Sequence, residues 1–74
     1  MFLIELEKGE CGIVKKIHAS TDLKQRLISF GVLKGAKVKL IATAPKKSTI
    51  EIEVEKMKIA LRREEAKLIE VEQC

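Results

Sequence analysis

Alternating apolar and polar residues in the second half of the chain predict two β-strands. Val38, Leu40 and Ala42 alternate with Lys37 and Lys39, and residues 50–55 alternate isoleucine or valine with glutamate. Such alternation places the apolar side chains on one face of a sheet. An odd number of loop residues keeps both apolar sets on the same face, so residues 44–48 are predicted to form a five-residue hairpin loop. Lys39 then lies opposite Glu53 or Glu55.

The segment from Cys11 to Ala19 is also strand-like, although its apolar positions do not alternate regularly. Val14 and Ile17 are three residues apart, so a regular strand would place them on opposite faces. A β-bulge at Lys15 and Lys16 would let both apolar side chains face inward. We therefore predict a bulged strand here.

The segment 23–30 is predicted to form the one short α-helix. Leu23, Leu27 and Phe30 are spaced by four and three residues, which gives one apolar stripe and predicts a buried Phe30. Asp22 is expected to cap the first amides while the side chain of Gln25 reaches back.

Two glycines follow this helix at an interval of four residues. Gly31 is expected to end the helix in the left-handed conformation, and Gly35 to turn the chain into the next strand. A third turn is expected at Lys56, between the strand ending near Glu55 and the next strand.

Two further short strands are predicted at 58–61 and 68–72, joined by one helical turn. The fold class is therefore mainly β: five or six short strands curl into a small barrel with one short inserted helix. Residues 1–74 are long enough for a single domain only. The side chains expected to be buried are Val38, Leu40, Ile50, Ile52, Val54, Leu61 and Ile69.

The scarcity of aromatic residues disfavours two kinds of binding. The chain has two phenylalanines and no tyrosine or tryptophan. Proline-rich peptides dock in aromatic-lined grooves, and single-stranded nucleic acids stack on aromatic rings. Neither ligand is therefore expected to be the main partner.

Positive charge is concentrated in the first two thirds of the chain. Residues 1–47 contain ten Lys and Arg against four Asp and Glu, whereas residues 48–74 contain five against seven. This distribution indicates either a basic face for an acidic partner or an ordinary mixed surface.

The two cysteines do not form the spacing pattern of a disulfide framework. The first ten residues lack the features of a signal peptide, and no segment approaches the length of a membrane span. We therefore expect a cytoplasmic protein with reduced thiols.

No pattern of catalytic or metal-binding residues is present. The chain has one histidine, no glycine-rich phosphate-binding loop and no closely spaced nucleophile and base, so we expect no enzyme activity. The candidate metal ligands are Cys11, His18 and Cys74. In a straight strand, Cys11 and His18 would lie about 23 Å apart, and no closely spaced ligand pair exists. We expect no bound cofactor or metal, with Cys11 a core or edge thiol, His18 at the surface and Cys74 frayed.

The stretch RLISFGVLKGAKVKL resembles the R-L-x-x-x-G-x-x-x-G-x-x-V signature of the FeoA family, accessory proteins of bacterial ferrous-iron uptake. Ala44-Pro45, the IALR stretch at 59–62, Ala66 and the IEV stretch at 69–71 extend the resemblance over most of the chain. Departures are Lys56, at a turn where relatives often have glycine, and Lys46-Lys47-Ser48, in place of a glycine-rich hairpin tip.

This resemblance implies an SH3-like barrel that acts beside FeoB, the membrane ferrous-iron transporter. The candidate partner-binding residues lie around the corner that carries the signature: Arg26, Phe30, Leu33, Lys34 and Lys37. Arg26 flanks the apolar stripe, about 100° from Leu27 around the helix, so it either pairs with a nearby glutamate or contacts the partner. Two alternative functions are an interaction module acting in trans on an iron-responsive repressor and a basic nucleic-acid-binding barrel.

Overall fold

One antiparallel sheet of five strands organises the chain. The computed structural model describes residues 1–74, in the order β1 (Cys11–Ile17), α1 (Thr21–Ser29), β2 (Lys37–Thr43), β3 (Thr49–Val54), β4 (Met57–Arg62), α2 (Arg63–Ala66) and β5 (Ile69–Gln73). Short 3-10 helices occupy Leu3–Glu5 and Pro45–Lys47. The strand order across the sheet is β4-β3-β2-β1-β5. The predicted mainly β fold with one short inserted helix is confirmed, and α2 is the expected single helical turn.

The hairpin between β2 and β3 has the predicted loop and register. Five residues, 44–48, separate the strands, and Lys39 lies opposite Glu53. The register shifts once between Leu40 and Ala42. The prediction that Ala42 shares the inward face of Val38 and Leu40 was wrong, because the extra residue, Ile41, places Ala42 opposite Glu51.

The predicted bulge in β1 is confirmed. The register with β5 shifts between Val14 and Lys16. Val14 and Ile17 are both buried, whereas Lys15 and Lys16 are both exposed. The bulge therefore places two consecutive lysines in solvent beside the same stretch of core.

A single cluster of aliphatic side chains fills the interior. All seven side chains predicted to be buried are buried, and no polar or charged side chain is. Because all five strands contribute to this cluster, the sheet curls around it. Leu3 and Leu6, from the segment before β1, complete the cluster with no exposed surface.

The motif that ends helix α1 buries Val32 in the core in place of the predicted Phe30. The N–H of Gly31 donates to the Ile28 carbonyl and that of Val32 to the Leu27 carbonyl, both at 2.9 Å. With Gly31 at φ +91°, this is a Schellman motif. Val32 is fully buried against the core that contains Leu27, and Phe30 is 38% exposed. The prediction of a buried Phe30 was wrong, because the helix ends at Ser29 and Val32, after the turn at Gly31, packs into the core instead.

The start of α1 also differs from the prediction. The helix begins at Thr21, with Ser20 as its N-cap residue and without a capping hydrogen bond from its side chain. The Ser20 carbonyl accepts the Lys24 N–H at 2.9 Å. Asp22 lies in the first turn and not at the cap. The Asp22–Gln25 capping box is therefore wrong, although a carboxylate in the first turn still favours the helix dipole.

The expectation of two separate reduced thiols is contradicted. Cys11 and Cys74 lie on neighbouring parts of the sheet with Cα atoms 5.6 Å apart, and a disulfide bond joins them. This separation is ordinary for disulfides. The Cys74 N–H also donates to the Cys11 carbonyl at 3.1 Å, so residue 74 is held by β1 and is not frayed. The pairing of residues 63 positions apart depends on the β1–β5 register, which spacing in the sequence does not reveal.

In the turn between β3 and β4, the residue with a positive φ is Glu55 and not Lys56, the position where relatives often have glycine. Val54 pairs with Met57, so the turn consists of Glu55 and Lys56. Glu55 has φ 58°, whereas Lys56 does not have a positive φ. The turn at Lys56 is present, but the conformation that favours glycine belongs to Glu55.

We expect Glu55→Gly to leave the free energy of unfolding unchanged or to raise it by up to about 1 kcal/mol, because glycine adopts a positive φ without steric cost. Lys56→Gly is the matched control in the same turn and should be neutral or destabilising. Urea unfolding of the two variants measures both effects. A clear loss of stability in Glu55→Gly, with Lys56→Gly unaffected, would contradict this account.

Candidate functional site

The residues between α1 and β2 form a corner, defined here as residues 31–36, that is fixed to β1 at two points. The Gly35 N–H donates to the Val14 carbonyl at 2.8 Å, and the Val14 N–H donates to the Ala36 carbonyl at 2.9 Å. A turn closed by the Ala36 N–H and the Leu33 carbonyl, at 2.9 Å, has Gly35 at φ +91°. The two predicted glycine turns are confirmed.

The five candidate partner-binding residues do not form one surface. Leu33 and Lys34 line a groove between the corner, β1 and α1. We call it the basic groove; it is lined by Lys15, Lys16, Ile17, Lys24, Ile28, Leu33 and Lys34. Within it, the side chains of Leu33 and Ile28 are each 44% exposed. The basic groove therefore contains two of the five predicted partner-binding residues, Leu33 and Lys34, together with five residues that were not predicted to bind a partner.

Arg26 and Phe30 lie on another face of α1, in a groove shared with β4 and α2. The Arg26 guanidinium forms a salt bridge with the Glu65 carboxylate. The other oxygen of Glu65 accepts the Arg62 backbone N–H at 2.9 Å, which caps α2. Glu65 thus links the two helices, and the pairing interpretation of Arg26 holds in this structure.

Lys37 lies in a third groove, together with Lys39, Glu53 and Glu55. This groove contains two basic and two acidic side chains, so its charges largely compensate each other. Lys37 and Lys34 are only three residues apart, but the turn at Gly35 separates them onto different surfaces. Sequence reasoning grouped Lys34 and Lys37 in one binding site because the sequence does not show the direction in which the chain leaves the turn at Gly35.

Sequence reasoning missed the residues of α1 and β1 that complete the basic groove. Lys24 and Ile28 are four residues apart and therefore lie on the same face of a helix. Lys15 and Lys16 were recognised only as the site of the bulge. Both signals are present in the sequence, but their convergence with Leu33 and Lys34 depends on how the corner packs against β1.

The lysines of the hairpin tip have a structural role. Lys46 and Lys47 have positive φ values of 59° and 54°, the backbone conformation that glycine adopts most easily. The Lys47 ammonium donates to the carbonyls of Ile4 and Leu6, each at 3.0 Å. This cation therefore fastens the hairpin to the segment before β1 and is not free to bind a partner.

The candidate metal ligands are occupied by protein contacts. Cys11 and Cys74 are joined in a disulfide. The exposed His18 Nε2 lies 2.9 Å from Glu70 Oε1, and its ring is 5.8 Å from that of Phe2. The hydrogen bond to His18 lowers the pKa of Glu70, against the opposing effect of desolvation. No group of three or more His, Cys, Asp or Glu side chains is placed to hold a metal ion.

The sequence matches the family model of the FeoA domain over residues 1–73. The chain belongs to the FeoA family. This FeoA-family chain is 41% identical over 71 residues to Fe(2+) transport protein A of Campylobacter jejuni, with 96% of each chain covered. It is 33% identical over 57 residues to a protein of the same name from Helicobacter pylori, covering 77% of this chain and 73% of that protein.

Solved structures of FeoA proteins share the fold of this FeoA-family chain. FeoA from Chlorobium tepidum has a TM-score of 0.93 at 34% identity, covering 99% of this chain and 70% of that one. The zinc complex of FeoA from Stenotrophomonas maltophilia, described as a procaryotic SH3 domain protein, has a TM-score of 0.84 at 30% identity, covering 97% and 89%. The SH3-like fold implied by the resemblance is confirmed.

The same fold occurs within larger regulators. A manganese-dependent transcriptional repressor aligns with a TM-score of 0.89 at 18% identity, covering 100% of this chain and 36% of the repressor. At this identity the similarity concerns the fold alone. Neither helix of this FeoA-family chain has the length and apolar character needed to cross a membrane.

We expect His18→Leu to raise the pKa of Glu70 towards its ordinary value of 4.5, because leucine cannot donate the hydrogen bond that favours the carboxylate. The lowered pKa in the folded wild type contributes stability that is present above pH 4.5 and is lost as the pH falls through the lowered value. Side-chain carbon NMR across the acidic range measures the shift, and Lys56→Gln serves as the control. An unchanged Glu70 titration in His18→Leu would mean that another group lowers its pKa.

We expect the isolated chain to show no stoichiometric, tight Fe(II) binding, since no cluster of ligands exists even around His18. Anaerobic calorimetry on the reduced protein tests this, because reduction makes both thiols available as ligands. One tight equivalent of Fe(II) would contradict the expectation. Cys11→Ser would then be the first variant to examine.

Proposed function

We propose that this chain is a non-enzymatic accessory protein of bacterial ferrous-iron uptake that binds a FeoB-like transporter on its cytoplasmic side. The observation that carries the proposal is the match to the FeoA domain over residues 1–73. The Campylobacter jejuni relative, which is named for Fe(2+) transport and matches over 96% of both chains, supports the assignment to this process.

The surface of the molecule supports a protein-binding role. Three of its five exposed large apolar side chains, Ile28, Phe30 and Leu33, lie on α1 or on the corner beside it. Lysines line the groove that contains Ile28 and Leu33, and arginines lie in the groove that contains Phe30. A basic surface favours association with an acidic partner. The interior is entirely aliphatic, so any binding must take place on the outside of the sheet and helices.

A second candidate is an interaction module that acts in trans on an iron-responsive repressor. It is favoured by the fold shared with the manganese-dependent repressor, of which this chain covers only 36%. Binding to such a repressor, with no binding to the transporter, would select this alternative. A basic nucleic-acid-binding barrel has no comparable observation in its favour.

The proposal is tested by capture of a FeoB-like transporter from detergent-solubilised membranes on the immobilised chain. We expect Lys34→Glu to reduce capture several-fold, because it reverses a charge at the rim of the contact. For Arg26 the informative change is Arg26→Met, since Arg26→Glu would place a second carboxylate beside Glu65. Lys8→Glu, at an exposed position that lines none of the four grooves, is the control and should capture as much transporter as the wild type.

Three outcomes separate the possibilities. Loss of capture in Lys34→Glu with a native circular dichroism spectrum supports contact through the corner. Equal capture by Lys34→Glu and the wild type would mean that the corner is structural only, and equal capture by Arg26→Met would mean the same for Arg26 on the other face of α1. Failure of the wild type to capture the transporter would contradict the proposed function itself.

A further inference from the structure

Of the four grooves on this molecule, the basic groove is the one where positive charge is least compensated. Four lysines line it and no acidic side chain does. The other grooves that contain basic residues also contain glutamates: Glu53 and Glu55 beside Lys37, and Glu65 beside Arg26. A groove at the β2–β3 hairpin has Glu51 as its one charged residue.

Acidic groups next to the basic groove neutralise it only in part. Glu72, on β5, lies 3.6 Å from the Lys15 ammonium. Glu70 lies opposite Lys16 in the β1–β5 register, but its carboxylate accepts a hydrogen bond from His18. Lys24 and Lys34 form no ion pair. At least two ammonium groups at the groove are therefore available to carboxylates of a ligand.

The floor of the groove is aliphatic and partly open to solvent. Ile28 and Leu33 are each 44% exposed, and Ile17, at 8%, connects them to the core. Covering the first two side chains would remove apolar surface from water, which favours binding. A ligand that uses the whole groove therefore needs both negative charges and apolar groups.

The backbone around the groove is held in place before any ligand binds. Lys15 and Lys16 are turned outward by the bulge in β1. Leu33 and Lys34 lie between Gly31 and Gly35, both fixed by backbone hydrogen bonds. Such preorganisation reduces the entropy lost when a ligand binds.

We infer that the basic groove binds an acidic peptide segment whose apolar side chains cover Ile28 and Leu33. The groove, with a volume of about 450 Å³, has room for a few side chains of an extended or helical segment. This inference rests on the proposed function, because the segment is assigned to the partner protein that the chain binds. It moves the contact from the five residues around the corner to a surface shared by the corner, α1 and β1.

Other occupants fit the groove less well. The groove contains no aromatic ring for base stacking and no arginine for bidentate phosphate binding. A small anion would leave the apolar floor in water. A flat lipid surface would reach the lysines at the rim, but it would not reach the floor of a concave site.

The test measures binding of a fluorescein-labelled peptide of glutamate, leucine and serine to the full chain by fluorescence anisotropy. One comparison peptide has serine in place of leucine, and another has glutamine in place of glutamate. We expect the first peptide to bind best and its binding to weaken with salt, because the lysines are exposed and screened. Amide chemical shifts should change mainly at the residues of the basic groove.

The decisive variants separate charge from apolar contact. Lys24→Glu with Lys34→Glu should weaken peptide binding roughly tenfold or more, since two rim charges are reversed. The control, Lys56→Glu with Lys67→Glu, changes the net charge equally at exposed positions outside the groove. Ile28→Gln with Leu33→Gln should weaken binding several-fold without unfolding, because both side chains are already substantially exposed.

Several results would overturn the inference. The inference is wrong if the control pair weakens peptide binding as much as the Lys24 and Lys34 changes, or if the Ile28 and Leu33 changes leave peptide binding unaffected. Preferential binding of the chain to phosphatidylglycerol vesicles or to single-stranded RNA would also overturn it. A dimer that buries the groove, detected by sedimentation, would assign it to a second copy of the chain. Transporter capture that persists in the Lys24 and Lys34 variant would reject the groove and leave the proposed function intact. If the wild type binds the peptide but does not capture the transporter, the proposed function is contradicted and the groove remains a peptide-binding site.

Discussion

Burial of one continuous aliphatic cluster is the constraint on which the rest of this structure depends. All five strands, both helices, the corner and the segment before β1 contribute to its sixteen side chains. A domain of this size buries a smaller fraction of its surface than a large one, so each contribution matters. The cluster contains no polar group, which confines every charged residue to the surface. Any interaction of this protein must therefore be built on the outside of the sheet.

The corner shows how the core and the exposed surface are connected. The Schellman motif at Gly31 turns Val32 into the core and leaves Phe30 and Leu33 partly exposed. The turn at Gly35 then directs Lys34 and Lys37 to different grooves. The stretch that resembles one binding motif in the sequence is thus a structural connection between α1 and β2 whose side chains belong to different grooves.

Charged side chains have distinct roles that their positions alone do not reveal. Lys47 fastens the hairpin to the carbonyls of Ile4 and Leu6. Arg26 joins the two helices through Glu65. The lysines of the basic groove, by contrast, have few acidic neighbours, so their positive charge is open to a ligand. The net charge of +4 is therefore less informative than where the uncompensated part of it lies.

The sequence by itself determined the strands, the β1 bulge, the pairing of Lys39 with Glu53 in the hairpin and the two glycine turns. These features depend on local periodicity, loop length and the conformational freedom of glycine, all of which act over a few residues. Only the tertiary structure decided that Phe30 is exposed, that Cys11 meets Cys74 and that Lys24 and Ile28 share a groove with Leu33 and Lys34. Each of these depends on segments distant in sequence packing at a particular angle around the core, and that angle is set by the whole cluster of side chains rather than by any local pattern.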